Sequence, residues 1–140
     1  MKRTGSAVWQ GDIKGGAGTV STESGVLSAV SYSFSKRFGE EKGTNPEELI
    51  GAAHASCFSM ALSGALGQAG LTADKIETSA EVTVVPEGGG FTITAVHLTV
   101  SAAVPGTDAE SFAKIAQGAK ENCPVSKVLN AEITMDATLV

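Results

Sequence analysis

GTNPEELIGAAHASCF, residues 43–58, is the stretch of sequence that decides the fold. Asn45 is a good N-cap residue, and Pro46 suits the first position of a helix, where its missing N–H costs nothing. Glu47 and Glu48 place negative charge in the first turn, where the helix dipole favours it. Together these residues predict that a helix begins at Pro46 and carries the rest of the stretch.

The continuation of this helix has no charged side chain at pH 7 from residue 49 to residue 73. Such a length could span a bilayer. Four Gly, three Ser, His54 and Gln68 nevertheless make it only weakly apolar, which favours a buried central helix over a membrane span. Gly70 is a suitable end for the helix, and we expect no membrane partner.

Alternation of apolar and polar residues predicts six strands around this helix. They cover residues 4–12, 19–23, 26–34, 77–86, 91–104 and 133–139. A change in the apolar phase predicts a bulge near Ala95, and the polar residues 35–44 are typical of a loop. Asp108 suits the cap of a second helix, and residues 124–129 form a short third one. The order βββ-α-ββ-αα-β predicts one α+β domain over residues 1–140, with helices packed on an antiparallel sheet.

The composition excludes several classes of protein. A chain of 140 residues can bury a core that needs no disulfide or metal to fold. Lys and Arg total 10 against 15 Asp and Glu, and without a basic block nucleic acid is an unlikely partner. No apolar stretch follows Lys2 and Arg3, so we expect no secretory signal. Two cysteines are too few for a disulfide scaffold and favour a cytoplasmic protein with free thiols.

The two cysteines lie in different local settings. Cys57 falls in the middle of the predicted long helix, where a small buried apolar residue is the ordinary role of cysteine. Cys123 directly precedes Pro124 at a helix start, where backbone N–H groups lower a thiol pKa. From the residues alone, Cys123 is therefore the better candidate nucleophile, and a capping role is its alternative.

Other candidate residues have ordinary structural alternatives. His54 lies three residues before Cys57 on the same helix face, so it is either a base in a Cys/His pair or a hydrogen-bonded core histidine. Arg37 and Glu47, taken alone, are typical of a loop cation and a helix-start carboxylate. The cysteines and histidines lack metal-ligand spacing, and no phosphate-binding fingerprint occurs, so we expect no cofactor.

Four motifs resemble the OsmC/Ohr family of hydroperoxide reductases, and the resemblance covers essentially the whole chain. Residues 43–58 closely resemble the first-cysteine motif of that family, and NCPVSKVL, residues 122–129, resembles its second. WQGD at residues 9–12 and GTVSTESG at residues 18–25 are similar to the OsmC branch in particular. The resemblance implies an OsmC-like fold, in which antiparallel sheets wrap around central helices in an intertwined homodimer.

The resemblance also implies a thiol peroxidase. Cys57 matches the cysteine that attacks the peroxide and Cys123 the one that resolves it to a disulfide, which reverses the choice made from local chemistry. Arg37 matches an arginine that stabilises the thiolate, and Glu47 matches its carboxylate partner. Organic hydroperoxides are the implied substrates, a dithiol of the lipoyl type is a candidate reductant, and no metal, haem or flavin is required.

The spacing of Glu47 and Cys57 bears on assembly. Ten positions along one straight helix correspond to ~15 Å, so Glu47 cannot reach the thiol of its own chain. A two-fold pair of antiparallel central helices could bring Arg37 and Glu47 of one chain to Cys57 of the other. We therefore predict a homodimer with two composite sites at its interface.

Two other functions stand beside the peroxidase. The first is a thiol hydrolase or acyltransferase that uses Cys57 and His54 and does not need Cys123. The second is a non-catalytic binding or stress protein in which both thiols are inert.

Overall fold

The structure is a computed structural model that describes residues 1–140 in full. Ten elements follow one another along the chain: β1 (Gly5–Gln10), β2 (Ala17–Thr22), β3 (Val30–Tyr32), α1 (Phe34–Phe38), α2 (Pro46–Gln68), β4 (Lys75–Glu87), β5 (Gly90–Ala103), α3 (Ala109–Asn122), α4 (Pro124–Val128) and β6 (Glu132–Leu139). They form two compact units, residues 1–49 and residues 50–140. The predicted α+β class is confirmed, with one more helix than the sequence indicates. The assignment of the whole chain to one domain stays a prediction.

The first unit holds an antiparallel meander, as predicted for the first three strands. β1 pairs with β2, and β2 pairs with β3. Asp12 accepts the N–H groups of Lys14 and Gly15 and so shapes the turn after β1. β3 is only three residues long because Ser33, whose hydroxyl accepts the Lys36 N–H, caps α1 directly after it. The predicted loop after β3 is therefore wrong over α1.

α2 begins where the sequence predicts. The side chain of Asn45 accepts the N–H of Glu48 at 2.8 Å, which is the N-cap bond that fixes the first turn. The helix ends at Gln68, and Gly70 follows with a φ of +75°, a left-handed conformation that glycine adopts without strain. By length and composition alone, α2 is also apolar enough to cross a membrane.

Only one face of α2 is buried within the chain. From residue 51 onward the buried residues recur every three or four positions, as one helix face requires: Gly51, His54, Phe58, Leu62 and Leu66. The opposite face is uncharged and exposed: Ala53, Ser56, Met60, Gly64 and Gly67. The prediction of a buried central helix therefore holds, within a single chain, for one face of α2.

The second unit is built on a three-stranded sheet with β5 in the centre. β4 and β5 pair antiparallel, and the register skips Thr94, since Thr83 faces Ala95 and Val84 faces Ile93. This confirms the bulge predicted near Ala95. β6, however, pairs with β5 in parallel, so the prediction of an antiparallel sheet is wrong at this edge. The parallel pairing is possible because α3 and α4 carry the chain back along the sheet before β6 begins.

The core of the second unit joins one face of α2 and one face of α3 to the sheet. Its largest members are apolar: Phe58, Leu62, Leu66, Val96, Leu98, Val100 and Phe112. Asp108 caps α3 by accepting the Ser111 N–H at 2.8 Å, as its position in the sequence predicts. Cys123 belongs to the same core and has no exposed surface, so core packing also fixes the position of one thiol.

Candidate active site

Cys57 and Cys123 form a thiol pair, although 66 positions (123 minus 57) separate them in the sequence. Cys57 lies in the middle of α2 and is partly exposed, whereas Cys123 is buried at the junction of α3 and α4. Cys57 packs against the core that contains Cys123, and the two free thiols lie close enough for each to shift the pKa of the other. The fold of the second unit therefore brings together the two residues that redox chemistry between thiols requires.

The local fold around Cys123 favours its thiolate. Burial by itself raises the pKa of this thiol. The backbone N–H of Ser126, the Cys57 thiol, the backbone N–H of Val125 and the Ser126 hydroxyl more than offset burial, so the pKa of Cys123 lies below its ordinary value. The two N–H groups can serve the sulfur because they belong to the first turn of α4, where no helical carbonyl accepts them.

The setting of Cys57 has the opposite effect. Burial and the neighbouring Cys123 thiol raise the pKa of Cys57, and the N–H of Val125 lowers it by less. No lysine or arginine contributes to this balance. Within one chain the negative charge therefore belongs on Cys123, in agreement with the choice made from local chemistry, and Cys57 needs a cation from elsewhere to become the thiolate.

His54 is a fully buried member of the same cluster. Its Nε2 lies 2.7 Å from the hydroxyl oxygen of Ser126, and its Nδ1 is buried without a hydrogen-bond partner. Burial lowers the pKa of His54, so the ring is neutral near pH 7. Because neither ring nitrogen bonds Cys57, the Cys57/His54 pair that a thiol hydrolase needs is not formed.

Arg37 and Glu47 form the second cluster of predicted residues, within the first unit. Arg37 Nη2 lies 2.8 Å from Glu47 Oε1, and Arg37 Nε lies 3.1 and 3.2 Å from the two carboxylate oxygens. The side chain of Glu47 is 10% exposed and that of Arg37 is 36% exposed. The neighbouring Glu48 is exposed and makes no ion pair, so the geometry distinguishes two carboxylates that the sequence could separate only by resemblance.

An apolar cavity of about 330 Å³ lies beside Arg37. Its walls are mostly aromatic, and they were not singled out as site residues from the sequence: Trp9, Ile13, Tyr32, Ser33, Phe34 and Phe38. The guanidinium of Arg37 lies 4.8 Å from the centre of the Phe38 ring. Four of the seven aromatic residues of the chain line this one cavity, and the occurrence of three of them within residues 32–38 is the signal that could have revealed it.

The remaining histidine, His97, belongs to the surface of the sheet. Its Nε2 lies 3.2 Å from Asp136 Oδ2 and its Nδ1 2.6 Å from the hydroxyl of Thr134, both on β6. No three His, Cys, Asp or Glu side chains are grouped to hold a metal ion.

Comparison with known proteins identifies relatives of the whole chain. The family model described as OsmC-like protein matches residues 39–138 of this chain. Peroxiredoxin OsmC of Escherichia coli (strain K12) is 59% identical over 139 residues, which cover 99% of this chain and 97% of that protein.

Solved structures of more distant relatives share the fold. The organic hydroperoxide resistance protein OhrB of Bacillus subtilis superposes with a TM-score of 0.74 at 26% identity, over 96% of this chain and 98% of that one. An organic hydroperoxide resistance protein from Elizabethkingia anophelis superposes with a TM-score of 0.77 at 26% identity, over 100% and 99% of the two chains. These similarities confirm the OsmC-like fold of the chain, and the homodimer stays a prediction.

Proposed function

This chain is a peroxidase of the OsmC family, and we propose that it reduces organic hydroperoxides to alcohols through a redox cycle of Cys57 and Cys123. The observation that carries the proposal is the proximity of these two free thiols, since Cys57 packs against the core that contains Cys123 and each thiol shifts the pKa of the other. Two cysteines so far apart in the sequence meet only because α2 and the α3–α4 junction pack together. The cycle serves defence against hydroperoxides, in keeping with the names of the relatives.

The first step is the attack of the Cys57 thiolate on one oxygen of the peroxide. A sulfur–oxygen bond forms, the O–O bond breaks, and the leaving alkoxide takes a proton to become the alcohol. Cys57 is oxidised to a sulfenic acid by two electrons. Cys123 then attacks the Cys57 sulfur, the S–O bond breaks, and the hydroxyl leaves as water with the proton that Cys123 gives up. A dithiol reductant, for which a lipoyl-type dithiol is our candidate, restores both thiols by exchange.

If Cys57 is to attack the peroxide and Cys123 only to resolve it, a cation must lie near Cys57 and stabilise its thiolate. Since the single chain favours the thiolate on Cys123, we assign the attacking role to Cys57 on the motif resemblance together with a source of positive charge outside its own unit. Arg37 is that source, because its guanidinium stays protonated and donates several hydrogen bonds. Glu47 holds the guanidinium in place through three close contacts.

A second copy of the chain supplies Arg37. Glu47 and Cys57 are ten positions apart on α2, which corresponds to ~15 Å along the helix axis. The exposed face of α2 is uncharged and includes Met60, 78% exposed, and two glycines that permit close helix contact. Two α2 helices packed antiparallel through this face would cover it and place Arg37 and Glu47 of each chain near Cys57 of the other.

The cavity beside Arg37 supports an organic rather than an inorganic peroxide. Its aromatic walls would bind an alkyl or aryl group, while the guanidinium at its edge would face the polar peroxide end. Hydrogen peroxide gains nothing from such walls and should be a poorer substrate. The free thiols also agree with a cytoplasmic location, where thiols are kept reduced.

The proposed cycle is tested by counting free thiols in the reduced protein after brief exposure to one equivalent of cumene hydroperoxide. We expect both thiols to disappear and to return on treatment with a dithiol. Cys123→Ser should stop at a sulfenic acid on Cys57, and Cys57→Ser should retain its remaining thiol. Retention of both thiols in the unsubstituted protein would refute the proposal and leave a non-catalytic role for the cysteines.

The composite site is tested with a mixed dimer of Arg37→Ala and Cys57→Ser chains. If the sites are composite, one of the two sites has both Arg37 and Cys57, and about half of the activity of the unsubstituted dimer survives. The two homodimers of these variants serve as inactive controls. Complete loss of activity in the mixed dimer would show that Arg37 and Cys57 act within one chain and would refute the composite site.

A further inference from the structure

Tyr32 lies between two apolar cavities of the first unit. It is part of the wall of the cavity of about 330 Å³ beside Arg37. It also lines a second cavity of about 180 Å³, whose other walls are Ala7, Val20, Thr44, Asn45, Pro46 and Leu49. Tyr32 is the one lining residue that the two cavities share, and Arg37 lines only the first. A ligand in the first cavity therefore meets Tyr32 before it can reach the second.

The pairing of the first sheet explains why the cavities adjoin. Gly18 on β2 faces Trp9 on β1 and Tyr32 on β3, so these three residues form one row across the sheet. Ala7 and Val20 face each other in the next row. Residues two positions apart on a strand point to the same side, so both rows belong to one face of the sheet. Neighbouring rows of that face thus contribute to the two cavities.

The ring of Tyr32 is held in place by its neighbours in the row. It packs against Trp9 with 5.3 Å between the ring centroids and 48° between the ring planes. Trp9 is itself fixed, because its Nε1–H donates to the Gly11 carbonyl oxygen at 3.0 Å. A Cβ on Gly18 would lie 2.7 Å from Tyr32 Cε1 and 2.9 Å from Trp9 Cε3, so both rings occupy the space that a side chain would need there. These contacts favour a single position of the Tyr32 ring.

We propose that Tyr32 is a specificity-determining residue, whose ring confines the hydrocarbon part of the hydroperoxide to the cavity beside Arg37 and closes off the second cavity. The inference rests on the proposed function, which places the peroxide group at Arg37. The preferred substrates are then compact hydroperoxides with an aryl group or a short alkyl chain. The closed space is large enough to matter, since an apolar cavity of about 150 Å³ can hold a benzene molecule.

Trp9 provides a readout that does not depend on the thiols. It is the only tryptophan of the chain and lines the first cavity, so its fluorescence should report the binding of straight-chain alcohols, which are products of the proposed reaction. Alcohols from butanol to dodecanol are titrated into the reduced protein. In the parent protein the affinity should rise by up to about fourfold with each methylene and then level off once the first cavity is full.

Three variants of Tyr32 test the role of the ring. Tyr32→Ala should join the cavities, so that the affinity continues to rise beyond the length at which the parent levels off. Dodecanol should then bind about tenfold more tightly than to the parent, because ordering the longer chain offsets part of the gain from burial. Tyr32→Phe keeps the ring and is the matched control, which should level off at the same length as the parent. Tyr32→Leu, which also removes the ring, repeats the test should Tyr32→Ala fail to fold.

A fourth variant tests whether the additional space is the second cavity. Ala7 lines that cavity and not the first. Ala7→Leu in the Tyr32→Ala background should fill the space from β1 and bring the levelling-off back toward the length seen in the parent. If Ala7→Leu leaves the longer rise unchanged, the chain has gone elsewhere and the inference is wrong.

The same series is then measured as kcat/KM for straight-chain hydroperoxides. The ratio of the values for dodecyl and hexyl hydroperoxide should be about tenfold higher in Tyr32→Ala than in the parent. A parent affinity that rises through the whole alcohol series, an unchanged levelling-off in Tyr32→Ala, or no fluorescence change with any alcohol would overturn the inference. Alcohol binding that follows the expected pattern, in a protein whose thiols survive cumene hydroperoxide, would instead overturn the proposed cycle and leave Tyr32 as the wall of an apolar binding site.

Discussion

Replacing Glu47 by glutamine removes the charge of the carboxylate and little else. In the parent protein the Glu47 carboxylate accepts hydrogen bonds from Arg37. Arg37 Nη2 lies 2.8 Å from one carboxylate oxygen, and Arg37 Nε lies within 3.2 Å of both. In Glu47→Gln the remaining oxygen can still accept from Nη2 and from Nε, but the amide NH₂ that replaces the second oxygen cannot accept a hydrogen bond. The guanidinium therefore loses its contact with that second oxygen and the attraction of a full negative charge.

The size of the effect follows from the difference between charged and neutral hydrogen bonds. A bond to a charged group contributes about 1.5–3 kcal/mol, and a neutral one about 1 kcal/mol. Because the Arg37 side chain is 36% exposed, water screens part of the interaction, and the lower end of the range applies. A loss of about 1.4 kcal/mol in holding Arg37 corresponds to about a tenfold lower rate of hydroperoxide reduction.

The assay is the initial rate of cumene hydroperoxide reduction with excess dithiol, and Glu48→Gln is the matched control. Glu48 lies in the same first turn of α2, so both variants lose the same favourable interaction with the helix dipole. Glu48 makes no hydrogen bond or ion pair with Arg37, so Glu48→Gln should keep nearly the parent rate. Equal rates in the two variants would refute the reasoning that Glu47 positions Arg37 for catalysis.

Three further predictions concern stability and are measured by urea unfolding. Burial lowers the pKa of His54, so just below pH 6.5 the unfolded chain binds a proton at this residue more readily than the folded chain. The free energy of unfolding should therefore fall as the pH drops below about 6.5, by up to ~1.4 kcal/mol per pH unit. His54→Gln should lose this pH dependence. Asn45→Ala removes the N-cap acceptor and should cost about 1 kcal/mol, whereas Asn45→Asp, which keeps an acceptor, should cost much less. Gly51→Ala would place a Cβ 2.9 Å from the Ala80 carbonyl oxygen and should destabilise the protein, although alanine favours a helix more than glycine does. The matched control is Gly118→Ala on α3, where the new Cβ meets no atom within 4 Å. This variant should be more stable than the parent by up to about 1 kcal/mol.

The sequence predicted those helices, strands and bulges that are determined by residues close to them in the chain. The start of α2 follows from Asn45 and the residues directly after it, and the bulge follows from a phase change within β5. α1 was missed because a single serine cap, Ser33, converts the end of an apparent strand into a helical turn. The parallel pairing of β6 was missed because alternation indicates which face of a strand is buried, and not which neighbour it pairs with or in which direction.

The candidate site was predictable from the sequence only where motifs supplied what local chemistry could not. Pro124 predicts a helix start at Cys123 and with it a lowered thiol pKa, and the pKa of Cys123 does lie below its ordinary value. The meeting of Cys57 with Cys123 came from resemblance, since no periodicity connects residues so far apart. The bond between His54 and Ser126 joins two helices, α2 and α4, and no spacing rule within either helix could reveal it.

The contact between Cys57 and Cys123 also has a thermodynamic consequence. A covalent bond at this contact would close a loop of 66 residues (57 to 123). The folded protein already holds the two sulfurs together, so the constraint acts mainly on the unfolded chain and removes entropy corresponding to about 4 kcal/mol. Such a change is a large fraction of the total stability of a small protein. The oxidised form should therefore melt at a distinctly higher temperature than the reduced form. In each catalytic cycle the protein would change between a more stable disulfide form and a less stable dithiol form.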